Sequence, residues 1–543
     1  MQPTAWVRPW KACKPRKGER VVRTPTQSQS NLAPCNRKPA HLRYHKPVPT
    51  YHVESFGCRA TQADGAALER QFETRGLTQA SAAQADLVIL NTCTVTNSAD
   101  QDARAAIRRV QRQNPRAKII VTGCYAQRAP QEIAALPGVA CVIGNSHKHQ
   151  LAEIVLPKIG KPPVSATEGI AFVPLTSLTA EARRLKAEAS LFVSDIFAHT
   201  ELLAAPVFDA SSSHQNDRTR PNLKVQDGCD NRCSFCVIPS VRGLSRSLPL
   251  SRIVDEMNAL VAAGYREVVI SGINLGRWGR DLPVSSQFSA LKENGRPHFQ
   301  DLIRAILSET DLEKLRISSV EPMDWTDDLI ALVASSPRIA RHAHVPLQSG
   351  SDAVLRRMHR KYRPWHYREK IEKIRAAMPT AAIGADVMAG FPGETDAEFE
   401  STRRLIADLP FTYLHVFTYS ARPGTPAAAM PNQVPVQVAR ERNKVLRDLA
   451  AEKKRAFMQS FVGKPLEAIT LSVAHNNCAG EFTEALTDNY QKLFLEGRHE
   501  PNRWLTSHVE AVEDGALVGR LSHHSASSTV EERRFSAALR RLE

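Results

Sequence analysis

The chain has 543 residues, 42% of them hydrophobic, and a formal net charge of +16. That length predicts about three or four domains with packed cores. The sequence shows no run of roughly 18 apolar residues and no basic–apolar–small leader, which argues against a helical membrane span and a signal peptide. A cytoplasmic protein with no membrane partner is therefore expected. The positive charge makes a phosphate-bearing partner, nucleic acid first, the leading expectation.

Residues 1–48 are rich in Pro, Lys, Arg, Ser and Gln, and up to residue 46 Glu19 is the only acid. They read as a disordered basic tail. From residue 49 to 158 strand and helix signals alternate. Val53–Phe56 runs into Gly57-Cys58, Asp86–Leu90 into Asn91-Thr92-Cys93, and Lys118–Thr122 into Gly123-Cys124. Helical segments Gln62–Thr74 and Ala99–Gln113 lie between them. This βαβαβ order predicts an open parallel sheet covered on both faces. Residues 159–217 read as a linker, with one helical stretch around Ala180–Ala189.

Alternation resumes in residues 218–458. Candidate strands are Leu223–Gln226, Glu267–Gly272, Lys314–Ser319, Ala343–Leu347, Ala382–Val387 and Leu414–Tyr419. Helices such as Leu250–Ala263, Asp352–Met358 and Asp396–Leu409 separate them, and a long charged helix covers 436–460. Six βα units predict a TIM-like barrel, closed or partial. Residues 459–525 read as short strands of a small β-barrel, and 526–543 as a tail. The fold class is therefore α/β followed by a small all-β unit.

Ten cysteines in a long chain without an export signal point to metal or catalytic use before disulfides. Cys58, Cys93 and Cys124 each follow a candidate strand of the first sheet. The carboxyl edge of a parallel sheet is where ligands bind, so three thiolates gathered there suit a cluster or a metal. The plainer alternative is three unrelated buried cysteines. Cys229, Cys233 and Cys236 form a C-x₃-C-x₂-C loop just after the first barrel strand. Three thiolates on a four-iron cluster leave one iron open for a cofactor, whereas zinc would need a fourth ligand nearby and none is obvious. Cys141 reads as core, and Cys13, Cys35 and Cys478 as inert.

The C-x₃-C-x₂-C segment resembles the cluster loop of the radical S-adenosylmethionine superfamily. Residues 50–520 resemble the methylthiotransferase family within it. The stretches that carry this are Phe56-Gly57-Cys58-Arg59, Asn91–Thr96, Gly123–Gln127, Val237–Gly243, Val345–Ser351 and Gly390–Thr395. The resemblance implies two [4Fe-4S] clusters, an auxiliary one on Cys58, Cys93 and Cys124 and a radical-generating one on Cys229, Cys233 and Cys236. It also implies S-adenosyl-L-methionine, a tRNA substrate, a flavodoxin- or ferredoxin-like electron donor, a sulfur source, and a C-terminal RNA-binding β domain of the TRAM kind. Asn91–Thr96 with Ala99, Asp100, Arg104, Ile107 and Arg108, together with Gly123–Gln127, is most similar to the branch that adds methylthio at C2 of N6-threonylcarbamoyladenosine at tRNA position 37. The alternatives are the isopentenyladenosine branch, the branch acting on a ribosomal-protein aspartate, and a non-catalytic iron–sulfur RNA-binding protein.

Phe235 resembles the aromatic residue that packs near the adenine of the cofactor, with a plain core aromatic as the alternative. Gly272, Asn274, Ser319, Glu321, Gln348 and Asp386 fall at or near strand ends of the barrel, where cofactor contacts belong. Arg242 is expected to meet cofactor or RNA, or simply solvent. His342, His344, His359 and His366 are expected to be structural or RNA-contacting. Arg104, Arg108, Arg109 and Arg112 read as a basic helical patch for phosphates or as a solvated face. Thr487-Asp488-Asn489-Tyr490 loosely matches a TRAM segment.

Overall fold

A computed structural model describes residues 48–156, 189–199, 202–203, 219–284, 295–477 and 480–521. The basic tail up to residue 47, the C-terminal tail, Cys13, Cys35, Cys478 and nearly all of the helical stretch expected around Ala180–Ala189 lie outside these residues.

The first unit is a six-stranded, all-parallel sheet of order β2-β1-β3-β4-β5-β6. Its strands are β1 (Thr50–Ser55), β2 (Thr78–Gln79), β3 (Leu87–Thr92), β4 (Lys118–Gly123), β5 (Val139–Gly144) and β6 (Ser190–Phe192). Alternation along β3 explains the layers. Val88 and Leu90 join one core, and Leu87 and Ile89 join the core on the other face. The helices α1 (Arg59–Glu73), α2 (Asn97–Gln113) and α3 (Cys124–Arg128) follow β1, β3 and β4. Thr96 caps α2, its side chain accepting from the Ala99 amide.

Two expectations change here. Three strands were legible; β5 was not, and Cys141 sits inside it as a core residue. Ser190–Phe192, expected within a linker, is the edge strand β6, paired with β5 through Cys141 to Ile143. It is only three residues long, too short to show a period.

The second unit has six parallel strands in two groups of three. β7 (Asn222–Lys224), β10 (Glu267–Ser271) and β11 (Lys314–Ile317) form one group, and β12 (His342–His344), β13 (Ala382–Ala389) and β14 (Tyr413–Thr418) form the other. Isolated parallel bridges between Leu315 and Ile339 and between Ser319 and His344 join the groups into a partial barrel. A short antiparallel pair, β8 (Gln226–Asp227) and β9 (Arg246–Ser247), brackets the cysteine loop. One apolar core fills the barrel, and Ala63 of α1 belongs to it. The first helix thus serves both units, with Leu68 and Phe72 packed under the first sheet.

The helix Val436–Gln459 leads to a closed five-stranded barrel of order β15-β16-β17-β19-β18. Its strands are β15 (Pro465–Asn477), β16 (Gly480–Thr487), β17 (Lys492–Glu496), β18 (Trp504–Glu513) and β19 (Ala516–Leu521). Among the described residues, no helix is long and apolar enough to cross a membrane.

Candidate functional site

The second cysteine set lies where the parallel strands end. Gly228 takes φ +72°, and a Cβ there would collide with the Leu244 carbonyl. Only glycine turns the chain out of β8 this tightly. The loop is then pinned by backbone bonds from Cys229 N to Gly243 O (3.1 Å) and from Ser234 N to Met358 O (3.2 Å). Asn274 Nδ2 donates to Cys229 Sγ (3.6 Å), and Arg360 Nη1 to Cys233 Sγ (3.2 Å). Burial, and then the neighbouring thiols, push Cys236 up to about 12, and burial also raises Cys229. A bound cation inverts that balance, because the thiolate is the ligand.

The expected cofactor residues divide. Asn274 and Glu321 come to the cysteine loop. Asn274 is buried, and its Oδ1 has no hydrogen-bond partner. Its backbone N–H donates to Gln226 Oε1 (2.7 Å). Glu321 pairs with Arg360, and together with Cys233, Arg277, His359 and Tyr362 they line one small cavity. Burial raises the Glu321 carboxyl although Arg360 opposes it. Gly272 lies against Gln226, close enough that a Cβ would stand 2.9 Å from Oε1. Phe235 meets Phe391 edge-on, with ring centroids 6.4 Å apart, and packs on the barrel core.

Ser319, Gln348 and Asp386 sit elsewhere. Ser319 is exposed and bridges to His344. Gln348 has φ 64° and donates its N–H to Asp386 O (2.8 Å). Asp386 lies within β13 and not at its end, with Oδ1 3.2 Å from His344 Nε2. His342 and His344 both bond Tyr413 OH (2.7 and 2.9 Å), so they belong to a polar barrel interior. Burial and Arg316 hold His342 far below the ordinary imidazole value, that is, neutral. His359 bonds Arg232 O, and His366 lies edge-on to Trp365.

The first cysteine set is gathered by topology. Cys58 follows β1, Cys93 follows β3 and Cys124 opens α3 after β4. These are the carboxyl ends of three adjacent strands, spanning the switch in strand order between β1 and β3. Gly57, at φ +110°, packs so tightly that a Cβ would lie 2.6 Å from Cys93 Cβ and 3.0 Å from its sulfur. Val95 N donates to Cys93 Sγ (3.5 Å) and Asn145 Nδ2 to Cys124 Sγ (3.6 Å), and Thr61 Oγ1 lies 3.6 Å from Cys58 Sγ. Burial first, then Cys124, pushes the Cys93 thiol up to about 12. Cys58 is exposed and the other two are buried.

Three soft sulfurs in each set, with N–H donors on Cys93, Cys124, Cys229 and Cys233 and the Thr61 hydroxyl beside Cys58, fit an iron–sulfur cluster. Among the described residues, no three His, Cys, Asp or Glu side chains close around a single ion.

The two sets adjoin. Cys124 packs on Val237, Val241 and Ile238, the residues that follow Cys236. Between the units lies a buried charge network that no motif signals. Asp64 of α1 meets Lys148 (3.0 Å), Lys224 and Arg242 (3.0 Å). Asp227 meets Lys224 (2.8 Å) and Arg242 (2.9 Å). Arg242 is 2% exposed, so the solvent and RNA readings for it are excluded by its burial. The cations hold both carboxyls well below their usual range despite burial. On the other flank Arg422 is buried against Thr94 Oγ1 (2.7 Å) and Asp100 Oδ2 (2.5 Å), beside Cys93.

Other expectations shift as well. Arg104 pairs with Glu132 (2.7 Å) and Arg109 with Glu54 (2.5 Å), so two of the four arginines of the helical patch are already neutralised, while Arg108 and Arg112 stay exposed. Thr487–Tyr490 packs against the barrel. Tyr490 lies 4.6 Å from the His342 ring and accepts from Arg59 Nη2 (3.3 Å), Arg341 N bonds Asp488 Oδ1 (3.3 Å) and Asn489 Nδ2 bonds Thr380 O (3.2 Å). That segment joins three units, and its ring is not a free platform for a base. Arg360, Asn145, Asp64, Lys148, Lys224, Asp227 and Arg422 were all missed. Asp227 apart, each has partners far away in sequence, and single buried ions carry no local period.

Residues 50–144 match the model described as Uncharacterized protein family UPF0004, and residues 223–406 match the Radical SAM superfamily. The Bacillus subtilis (strain 168) protein named threonylcarbamoyladenosine tRNA methylthiotransferase MtaB is 35% identical over 460 residues, covering 83% of this chain and 92% of that protein. The protein of the same name from Rickettsia prowazekii (strain Madrid E) is 36% identical over 471 residues, covering 86% and 96%. The tRNA-2-methylthio-N(6)-dimethylallyladenosine synthase of Novosphingobium aromaticivorans is 36% identical over 426 residues, covering 77% and 86%.

Proposed function

This chain belongs to the radical S-adenosylmethionine tRNA methylthiotransferase family, and from that premise we propose that it transfers a methylthio group to C2 of N6-threonylcarbamoyladenosine at position 37 of tRNA. The observation that carries the reading is similarity along nearly the full length of relatives of that name, with family matches over the stretches that hold both cysteine sets. Cys229, Cys233 and Cys236 would hold the radical cluster, and Cys58, Cys93 and Cys124 the auxiliary one. When bound, these two [4Fe-4S] clusters and S-adenosyl-L-methionine supply the radical generation and the transferred sulfur, and the protein supplies position and electrostatics.

The chain's own residues support those roles. Asn274, with an unpartnered buried Oδ1 and its Nδ2 on Cys229, would accept from a cofactor ammonium. Arg360 and Glu321 line the cavity at Cys233 and fix the charge there. Phe235 and Gly272 complete the proposed cofactor lining beside the loop, whereas Ser319, Gln348 and Asp386 stand apart from it. The proposed functional units are 49–158, 218–458 and 459–525. Proposed partners are tRNA, a flavodoxin- or ferredoxin-like electron donor and a sulfur source, in the cytoplasm where tRNA is matured.

The test is mass spectrometry of nucleosides from bulk tRNA in a strain lacking the protein and in complemented strains. The 2-methylthio-threonylcarbamoyl nucleoside is expected to vanish on deletion and to return with the wild-type chain. Loss of the 2-methylthio-dimethylallyl nucleoside instead would move the substrate to the branch of the Novosphingobium relative. No change in either would overturn the tRNA reading.

A further inference from the structure

The buried charges between the two units are unequal in number. Lys148, Lys224 and Arg242 oppose only Asp64 and Asp227, and Arg246, which also faces Asp281, joins them. One small cavity brings Asp64, Lys148, Asp227, Arg242 and Arg246 together with Asn145, which donates to Cys124. Three buried cations against two buried carboxylates leave an excess of one positive charge in a place with little solvent to screen it, with Arg246, shared with Asp281, at its margin.

That excess faces the first cysteine set. Arg242 Nη2 donates to Thr61 Oγ1 (3.3 Å), the hydroxyl that lies beside Cys58 Sγ. Arg242 interacts electrostatically with Cys124, Cys58 and Cys93, and Lys148 with Cys124. The Nη atoms of Arg242 are consumed by Asp227, Asp64 and Thr61, while Nε is buried without a hydrogen-bond partner. A buried guanidinium N–H left unpaired costs free energy unless another acceptor meets it. Cluster sulfur and thiolate sulfur are such acceptors.

We propose that Arg242 is a positioning residue of the auxiliary site: its spare Nε–H and the excess positive charge of the network it closes hold the cluster on Cys58, Cys93 and Cys124 and raise that cluster's reduction potential. The inference rests on the reading that those three cysteines carry a cluster. Reduction adds one negative charge, so nearby cations favour the reduced form and nearby carboxylates disfavour it. Arg242 comes from the barrel, so the auxiliary cluster would reach its working potential only when the two units are docked.

The test is a charge ladder read by potentiometric titration with electron paramagnetic resonance. It uses the full chain carrying Cys229→Ala, Cys233→Ala and Cys236→Ala, so that only the auxiliary cluster remains. Arg242→Gln and Lys148→Met each remove a positive charge and are expected to shift the midpoint to more negative values. Asp227→Asn removes a negative charge and is expected to shift it to more positive values. Arg242→Lys keeps the charge and is expected to restore most of the potential. A merely structural network would lower iron occupancy in every variant and leave the potential of the remaining clusters unmoved. Shifts absent, or of one sign in all variants, would overturn the proposal. Should Arg242→Gln not assemble, Lys148→Met and Asp227→Asn still form the opposed pair. Failure of the parent variant to take up iron would instead remove the cluster reading, and this inference with it.

Discussion

The two cysteine sets reach similar chemistry by opposite routes. Cys229, Cys233 and Cys236 sit within one loop, and their geometry is local: one glycine turn and a few backbone bonds shape it. Cys58, Cys93 and Cys124 stand at the ends of three strands and meet only once the sheet has formed. The loop set should therefore tolerate loosening of the fold better than the sheet set. The sheet set also depends on its neighbour, because Arg242 and Arg422 reach it from the barrel side.

The largest expected effect separates the sets by chemistry. Cys229→Ala is expected to abolish reductive cleavage of S-adenosylmethionine by reconstituted protein. Cys58→Ala is expected to retain that cleavage and to form no methylthio nucleoside, as measured by chromatography of both products. Equal loss in both variants would erase the division of labour.

Arg422→Ala should come next. It strips one cation from Asp100, whose remaining partners are Arg128 (3.0 Å) and the Thr94 hydroxyl (2.6 Å). Breaking a buried pair costs about 3–5 kcal/mol when the charge left behind has no partner, and the Arg128 contact places this case near the lower bound. Thermal unfolding and iron analysis together should show lower stability, with iron lost from the sheet set before the loop set.

Acid should destabilise the barrel interior more gradually. Buried His342 has its folded-state pKa far below the ordinary value of 6.5, mainly through burial. The unfolded chain then binds more protons as the pH falls below 6.5, so stability is full above that value and declines beneath it. His199, whose value burial lowers to about 4, adds to the slope between roughly 6.5 and 4. Melting temperature against pH, with His342→Gln as the flatter comparison, checks the sign.

The smallest effect is expected at the junction with the C-terminal barrel. Tyr490→Phe removes the bond from Arg59 and keeps the ring against His342. A loss of about 1 kcal/mol in denaturant unfolding is expected, with both clusters retained.

Much of this architecture was readable from period and motif. The six barrel strands, the long helix Val436–Gln459 and the first three strands of the sheet follow from alternation and from the Gly-Cys and Asn-Thr-Cys turns. The loop cysteines were legible because three donors within a few residues leave the fold little freedom. The sheet cysteines were legible only through topology. What stayed hidden is what depends on long-range pairing: β6, the Asp64–Lys148–Lys224–Asp227–Arg242 network, and the Arg360 contact to Cys233. Asp386 was placed at a strand end because its strand was read two residues short. Arg242 looked like a solvent or RNA contact because an arginine at the close of a cysteine loop carries no mark of burial.

The central claim is that two separate sets of three cysteines hold two clusters. It is tested most directly by counting iron and acid-labile sulfide per chain, with Mössbauer spectra, in anaerobically reconstituted protein. The wild-type chain is expected to carry about eight irons, and replacing either set of three cysteines with alanine should leave about four. An N-terminal triple variant that keeps the full count, or a wild-type chain that stops at four, would contradict the account.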